Sequence, residues 1–227
     1  HGSPFRWYCA PMPTFMLQKC RLPHLIAAVL CLEVAIYLWA VWTSTLDSGN
    51  FFAITPEFIF DKCARNAGRV SSGINLLILL LVGHKGLSAI FRNGSSRIEL
   101  LVLITLFSIN HLIHLFFVIQ NFAHHGMDLS IGENLHGFLT FFLIVIVPVV
   151  LWMSHEFGPA LYVLIIFHLL NISYFTMETF LSKVKPGKPA YHEQLGMAIT
   201  LLACVYVMHS VVRDYKTHLR AVGVPRR

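Results

Sequence analysis

Histidines in apolar surroundings carry the chemistry this sequence offers. His155 and His168 lie thirteen residues apart, the first beside the turn Ser154–Pro159 and the second inside an almost wholly apolar run. On a helix, thirteen residues rise about 20 Å, most of the way across a hydrocarbon core of about 30 Å. His111 and His114 occupy a second apolar run. Imidazoles inside a membrane are costly and rare, so they mark functional sites by default. Neutral imidazoles on facing helices can bind a metal centre axially. Two stacked sites of this kind would carry electrons through a bilayer.

The rest of the composition agrees with a membrane setting. Of 227 residues, 56% are hydrophobic and 12% charged, against about 25% charged in soluble domains. The expectation is an all-α, polytopic membrane bundle, integral to a plasma or mitochondrial inner membrane and in contact with its lipids. The formal charge of +6 needs no nucleic acid to explain it, because basic residues crowd the cytoplasmic ends of membrane spans. Five cysteines without a CxxC indicate neither zinc nor a disulfide framework. Thirteen histidines outnumber eleven acidic residues.

Six spans are predicted: Leu25–Trp42, Ala67–His84, Ile98–Asn121, Leu135–Met153, Ala160–Met177 and Leu195–Val212. Residues 1–24 read as a polar arm, 25–212 as the transmembrane domain and 213–227 as a basic tail. Trp39 and Trp42 read as interfacial anchors. Residues 43–66 and the basic stretch Lys85–Arg97 read as loops, and Pro148 as a kink. Small and polar residues open the second span at Arg69–Asn75, so that face is expected to pack inward. Glu33 is a single carboxyl within the first span, read as a protonated or hydrogen-bonded core group ahead of a proton or metal role.

Six spans put both termini on one side. Eleven of the seventeen Lys and Arg residues fall there, so the positive-inside rule makes it the cytoplasmic or equivalent side. On this topology the third and fifth spans run parallel, from inside to outside. His111 is fourteen residues from Arg97 and His168 thirteen from His155, so His111 and His168 share a depth. His114 lies about 4.5 Å further out. The expectation is a bis-histidine b-type haem at an outer site, held by His168 with His111 or His114, and His111 is favoured on depth. An inner site at His155 is weaker: Arg97, Ile98 and Leu100 stand where a partner would be, which leaves only His84.

Other chemistries fit less well. His124, His125 and His136 form an outer cluster without a carboxylate at ligand spacing, and read as solvated loop residues. The His111-x-x-His114 and His124–His125 pairs lack the HxxxH and HxxHH sets of membrane di-iron enzymes. Asn93-Gly94-Ser95 is a glycosylation sequon on the predicted inner side. No flavin, nucleotide, phosphate-loop or nucleophile motif is present.

The chain resembles the ferric reductase-like transmembrane domain of NADPH oxidases and ferric reductases. The resemblance is carried by Cys63–Arg69 leading into Asn75–Lys85, by Ser108–Phe116, and by His155 to His168, and it covers residues 25–216 in outline. It implies that His168 with His111 or His114 is the outer haem pair and that His155 is the inner ligand of the fifth span. It also implies that Arg65 or Arg69 assists at the outer haem or its acceptor. The family's inner histidine on the third span is absent, and the sequence stops at Arg227 without the flavin dehydrogenase domain. Either it is a truncated membrane domain, or a separate donor protein feeds it, or it has lost the chemistry and persists as a subunit of a larger complex. Three functions follow: a b-type cytochrome reducing an outer acceptor; a haem-free structural subunit of a larger, for example respiratory, membrane complex; and, third, a transporter relaying protons through Glu33 and the histidines.

Overall fold

A computed structural model describes residues 7–8, 22–49, 56–126, 135–154, 156–181, 184 and 191–221. Seven helices follow one another: α1 (Leu22–Ser48), α2 (Pro56–Lys85), α3 (Leu87–Arg92), α4 (Gly94–His124), α5 (Leu135–Met153), α6 (Pro159–Leu181) and α7 (Tyr191–Ala221). All but α3 are long and apolar enough to cross a membrane. The chain is an integral membrane protein. Trp7–Tyr8 (β1) pairs antiparallel with Glu156–Phe157 (β2), a short ribbon within the stretch expected to be a free arm.

Helix boundaries depart from expectation where charged residues find partners. Residues 56–66 continue α2 instead of forming a loop. Pro56 takes the first helical position, which tolerates its missing N–H. Cys63, Ala64 and Ala67 bury against Ala40 of α1 and Phe117 of α4. Lys62 meanwhile donates to Asp47 at 2.7 Å and to Thr43 at 3.1 Å, tying α2 to α1. The basic stretch 85–97 is likewise ordered: α3 buries Leu87, Ile90 and Phe91. Gly86, at φ +82°, makes the turn between α2 and α3, and a Cβ there would lie 2.7 Å from Asp214 Oδ1. That carboxylate accepts the Ser88 backbone N–H at 3.0 Å, satisfying a free donor at the start of α3. Asp214 belongs to α7, which runs on to Ala221, past the tail boundary expected at 213. Asn93 caps α4, its side chain accepting from Ser95 N and Ser96 N.

Pro148 lies inside α5 without ending it. Having no N–H, it leaves the Ile144 carbonyl free, and Ser108 of α4 donates to that carbonyl at 2.7 Å. A neighbouring side chain thereby repairs the backbone defect within the membrane.

The close helix pairs define a ring. α4 packs on α2 and α5; α6 packs on α5, on α7 and more lightly on α2. α4 and α6 therefore face each other diagonally. α1 lies outside against α2 and α4, and its buried positions, Glu33, Ala40 and Ser44, form one narrow stripe. Leu38, Trp39, Trp42 and Leu46 of α1 are exposed to lipid.

The two ends of the ring differ. At the end holding the start of α4, Phe91 stacks on Phe157 at 4.0 Å and the Arg97 guanidinium lies 5.7 Å over Phe91. Arg97 Nη2 donates to the Ser154 carbonyl at 2.5 Å. Leu100, Ile104, Leu151 and Ile165 close the space above them.

Truncating a fully buried aromatic costs about 3–5 kcal/mol. Phe91→Ala, at a side chain 1% exposed, should therefore lower the thermal midpoint in detergent sharply. Trp42→Ala, at a residue 65% exposed, should leave it near wild type. Equal shifts would place the stabilising core elsewhere.

Candidate site between α4 and α6

His111 lies seventeen residues from the start of α4 at Gly94 and His168 nine from the start of α6 at Pro159. His111 lies thirteen residues before the end of α4 at His124, and His168 thirteen before the end of α6 at Leu181. Each is thus about 20 Å from that end. His111 is 8% and His168 1% exposed. Among the described residues neither ring nitrogen of His111 has a hydrogen-bond partner, nor does Nδ1 of His168. Leaving a buried polar atom unsatisfied costs about 1–3 kcal/mol, so this arrangement opposes stability. His114 and His168 both lie near enough to His111 for a charge on one to be felt there.

Aromatic rings wall the site. His111 stacks on Phe107, one turn earlier, at 5.0 Å, and meets Phe141 of α5 at 5.1 Å. His114 turns toward α2, as three residues of helix require. A Cβ on Gly68 would sit 3.2 Å from the His114 ring, so glycine is what admits the imidazole there. The two rings are 5.1 Å apart.

A buried polar layer surrounds this level. Asn110 Nδ2 donates to the Ala67 carbonyl at 3.0 Å and to Ser71 Oγ at 2.8 Å. Asn75 Nδ2 reaches Ser173 Oγ at 3.5 Å. These contacts lock α2 to α4 and α6, and explain the inward face expected of Arg69–Asn75. Asn110 and Ser173 were not read as site residues from sequence. The available signal was their place beside His111 and, five residues on, beyond His168. Glu33 is buried, and among the described residues neither carboxyl oxygen has a hydrogen-bond partner.

Other expected residues stand apart. Arg65 and Arg69 are exposed; Arg65 pairs with Asp61 and Arg69 donates to Asn66 at 3.1 Å. His84 is exposed and meets Tyr206 OH at 3.4 Å. His155 lies outside the described residues. The histidines of the other end do not gather: His124 stacks on Phe60 at 5.4 Å, His125 Nδ1 meets its own helix at the Asn121 carbonyl, and His136 reaches α6. Among the described residues no three His, Cys, Asp or Glu converge on one point. Two buried imidazoles, His111 and His168, stand on helices placed diagonally across the ring.

No family model, curated protein or solved structure matches the chain.

Two outcomes follow. His111→Leu removes two unsatisfied nitrogens while keeping the volume, and should raise the thermal midpoint of the ligand-free protein; a fall would mean the ring is held by packing alone. Gly68→Val should lower it by driving His114 off α2, while Gly73→Val, with nothing within 4 Å, should leave it unchanged or raise it slightly, because valine is a better helix former than glycine by a few tenths of a kcal/mol.

Proposed function

We propose that the protein is a b-type membrane cytochrome holding one haem between α4 and α6, with His111 and His168 as axial ligands. The observation that carries this reading is the pair of buried imidazoles, of which both nitrogens of His111 and Nδ1 of His168 lack partners among the described residues. A group that pays such a cost in hydrocarbon needs a return, and metal ligation supplies one. Haem supplies one-electron chemistry when bound. The chain's own part is to offer neutral imidazole nitrogens, to exclude water with Phe107 and Phe141, and to hold α4 and α6 apart across the ring.

In this reading both termini lie on the cytoplasmic-equivalent side, a separate protein donates electrons from there, and the acceptor is reduced at the opposite end. The architecture proposed is that of the ferric reductase-like membrane domain. His114, seated against Gly68, lines the pocket. Arg65 and Arg69 would meet the acceptor from the exposed end of α2 and not from the haem crevice. The packing of Arg97, Phe91 and Phe157 supports one haem over two, since side chains fill the bundle at the start of α4.

That same packing favours a second reading, a haem-free structural subunit of a larger membrane assembly, because it interrupts a two-centre path. One measurement separates the two. A dithionite-reduced minus oxidised spectrum of protein expressed with haem supplied should show the α-band of a bis-histidine haem; its absence would sink the cytochrome. His168→Ala should abolish the band and His114→Ala should retain it. If His114→Ala loses it and His111→Ala does not, the third-span ligand is His114.

A further inference from the structure

The end of the bundle away from Arg97 carries a polar cluster that the haem reading does not use. His136, at the start of α5, places Nε2 3.0 Å from Asn171 Oδ1 on α6. Asn171 Nδ2 donates to Thr140 Oγ1 at 2.8 Å, and Thr140 gives its hydroxyl proton to the His136 carbonyl at 2.8 Å. Proton bookkeeping then sets the tautomer. Thr140 has one proton and has spent it, so its oxygen can only accept, and Asn171 must present its amide there. Asn171 Oδ1 therefore faces His136, and Nε2 carries the hydrogen.

The neutral ring is left with a lone pair on Nδ1, which faces Glu178 Oε2 at 3.7 Å. Two Lewis bases at that separation repel unless a positive charge lies between them. A proton would make a salt bridge, while a metal ion would make a coordination site. The surroundings favour ligation. Tyr174 and Phe175 hold the ring edge-on at 5.3 and 5.9 Å, and an amide oxygen fixes the remote N–H as in the outer shell of metal-bound histidines. The side chains of His136 and Glu178 are 39% and 56% exposed, so an ion can enter from the end of the bundle.

We propose that His136 Nδ1 and Glu178 form a binding site for a divalent d-block cation of the Zn²⁺ or Cu²⁺ class, clipping α5 to α6. Imidazole and carboxylate suit such ions. Ligand bonds of about 2.0–2.2 Å span the observed gap at slightly more than a tetrahedral angle, and rotation of the exposed Glu178 closes the difference. Water completes the shell and keeps the ion exchangeable. Asn171 is a positioning residue, acting through His136. The site stands independently of the haem reading.

The test is Zn²⁺ titration of the chelator-treated full chain in detergent, read by calorimetry and by thermal midpoint. Wild type should bind one equivalent more than His136→Ala or Glu178→Gln, and only wild type should gain a midpoint increase from that equivalent. Asn171→Leu, with both ligands intact, should weaken binding about 10–100-fold. Other histidines bind zinc equally in all variants, so the difference isolates this site. Identical stoichiometry and affinity in wild type and Glu178→Gln would overturn the proposal and leave a protonated ion pair. Both altered side chains are partly exposed, and Glu178→Gln keeps volume, so the comparison survives even if His136→Ala folds poorly.

Discussion

Hydrocarbon offers no hydrogen bonds, so every polar group within the spans must be answered from inside the chain. The helix arrangement records how this was done. Pro148 opens a gap in α5 and Ser108 fills it. Asn110 ties α4 to α2 through a carbonyl and a hydroxyl, and Trp152 of α5 donates to Thr105 of α4 at 2.9 Å. Individual polar contacts of this kind average only about 0.6 kcal/mol in a membrane. Their weight lies in orientation: each selects one helix face for its neighbour, and close packing then supplies most of the attraction.

Against that economy the exceptions stand out. Among the described residues both nitrogens of His111 and Nδ1 of His168, on diagonal helices, go unanswered, as do the Glu33 carboxyl and Asn75 Oδ1. Asn110 adjoins His111 in sequence yet turns to α2. Ser173 donates to its own helix at Leu169.

The two ends of the ring are built on different principles. Near Arg97, stacked aromatics and a guanidinium held by a helix-end carbonyl make a dry, closed floor. Near His136, an ordered chain of amide, hydroxyl and imidazole leads to an exposed carboxylate. A closed floor and a polar mouth give the bundle a direction, whichever side of the membrane each occupies.

Much of this was legible in residue order alone. Apolar runs of helix-spanning length determined the six spans, because the periodicity and length that hydrocarbon demands are local properties of a segment. That His111 and His168 fall well inside their spans was likewise legible, since helical rise converts residue count to distance. What lay beyond it were pairings between residues far apart in the chain. Asp214 capping α3, Lys62 joining Asp47 and Glu178 facing His136 each depend on which helices become neighbours. The search for a carboxylate near His136 failed in sequence because the partner lies forty-two residues on, one helix away. Spacing along one helix determined which residues share a level. Only the ring of α2, α4, α5 and α6 decided which of them face each other, because that choice rests on the summed packing of whole helix faces.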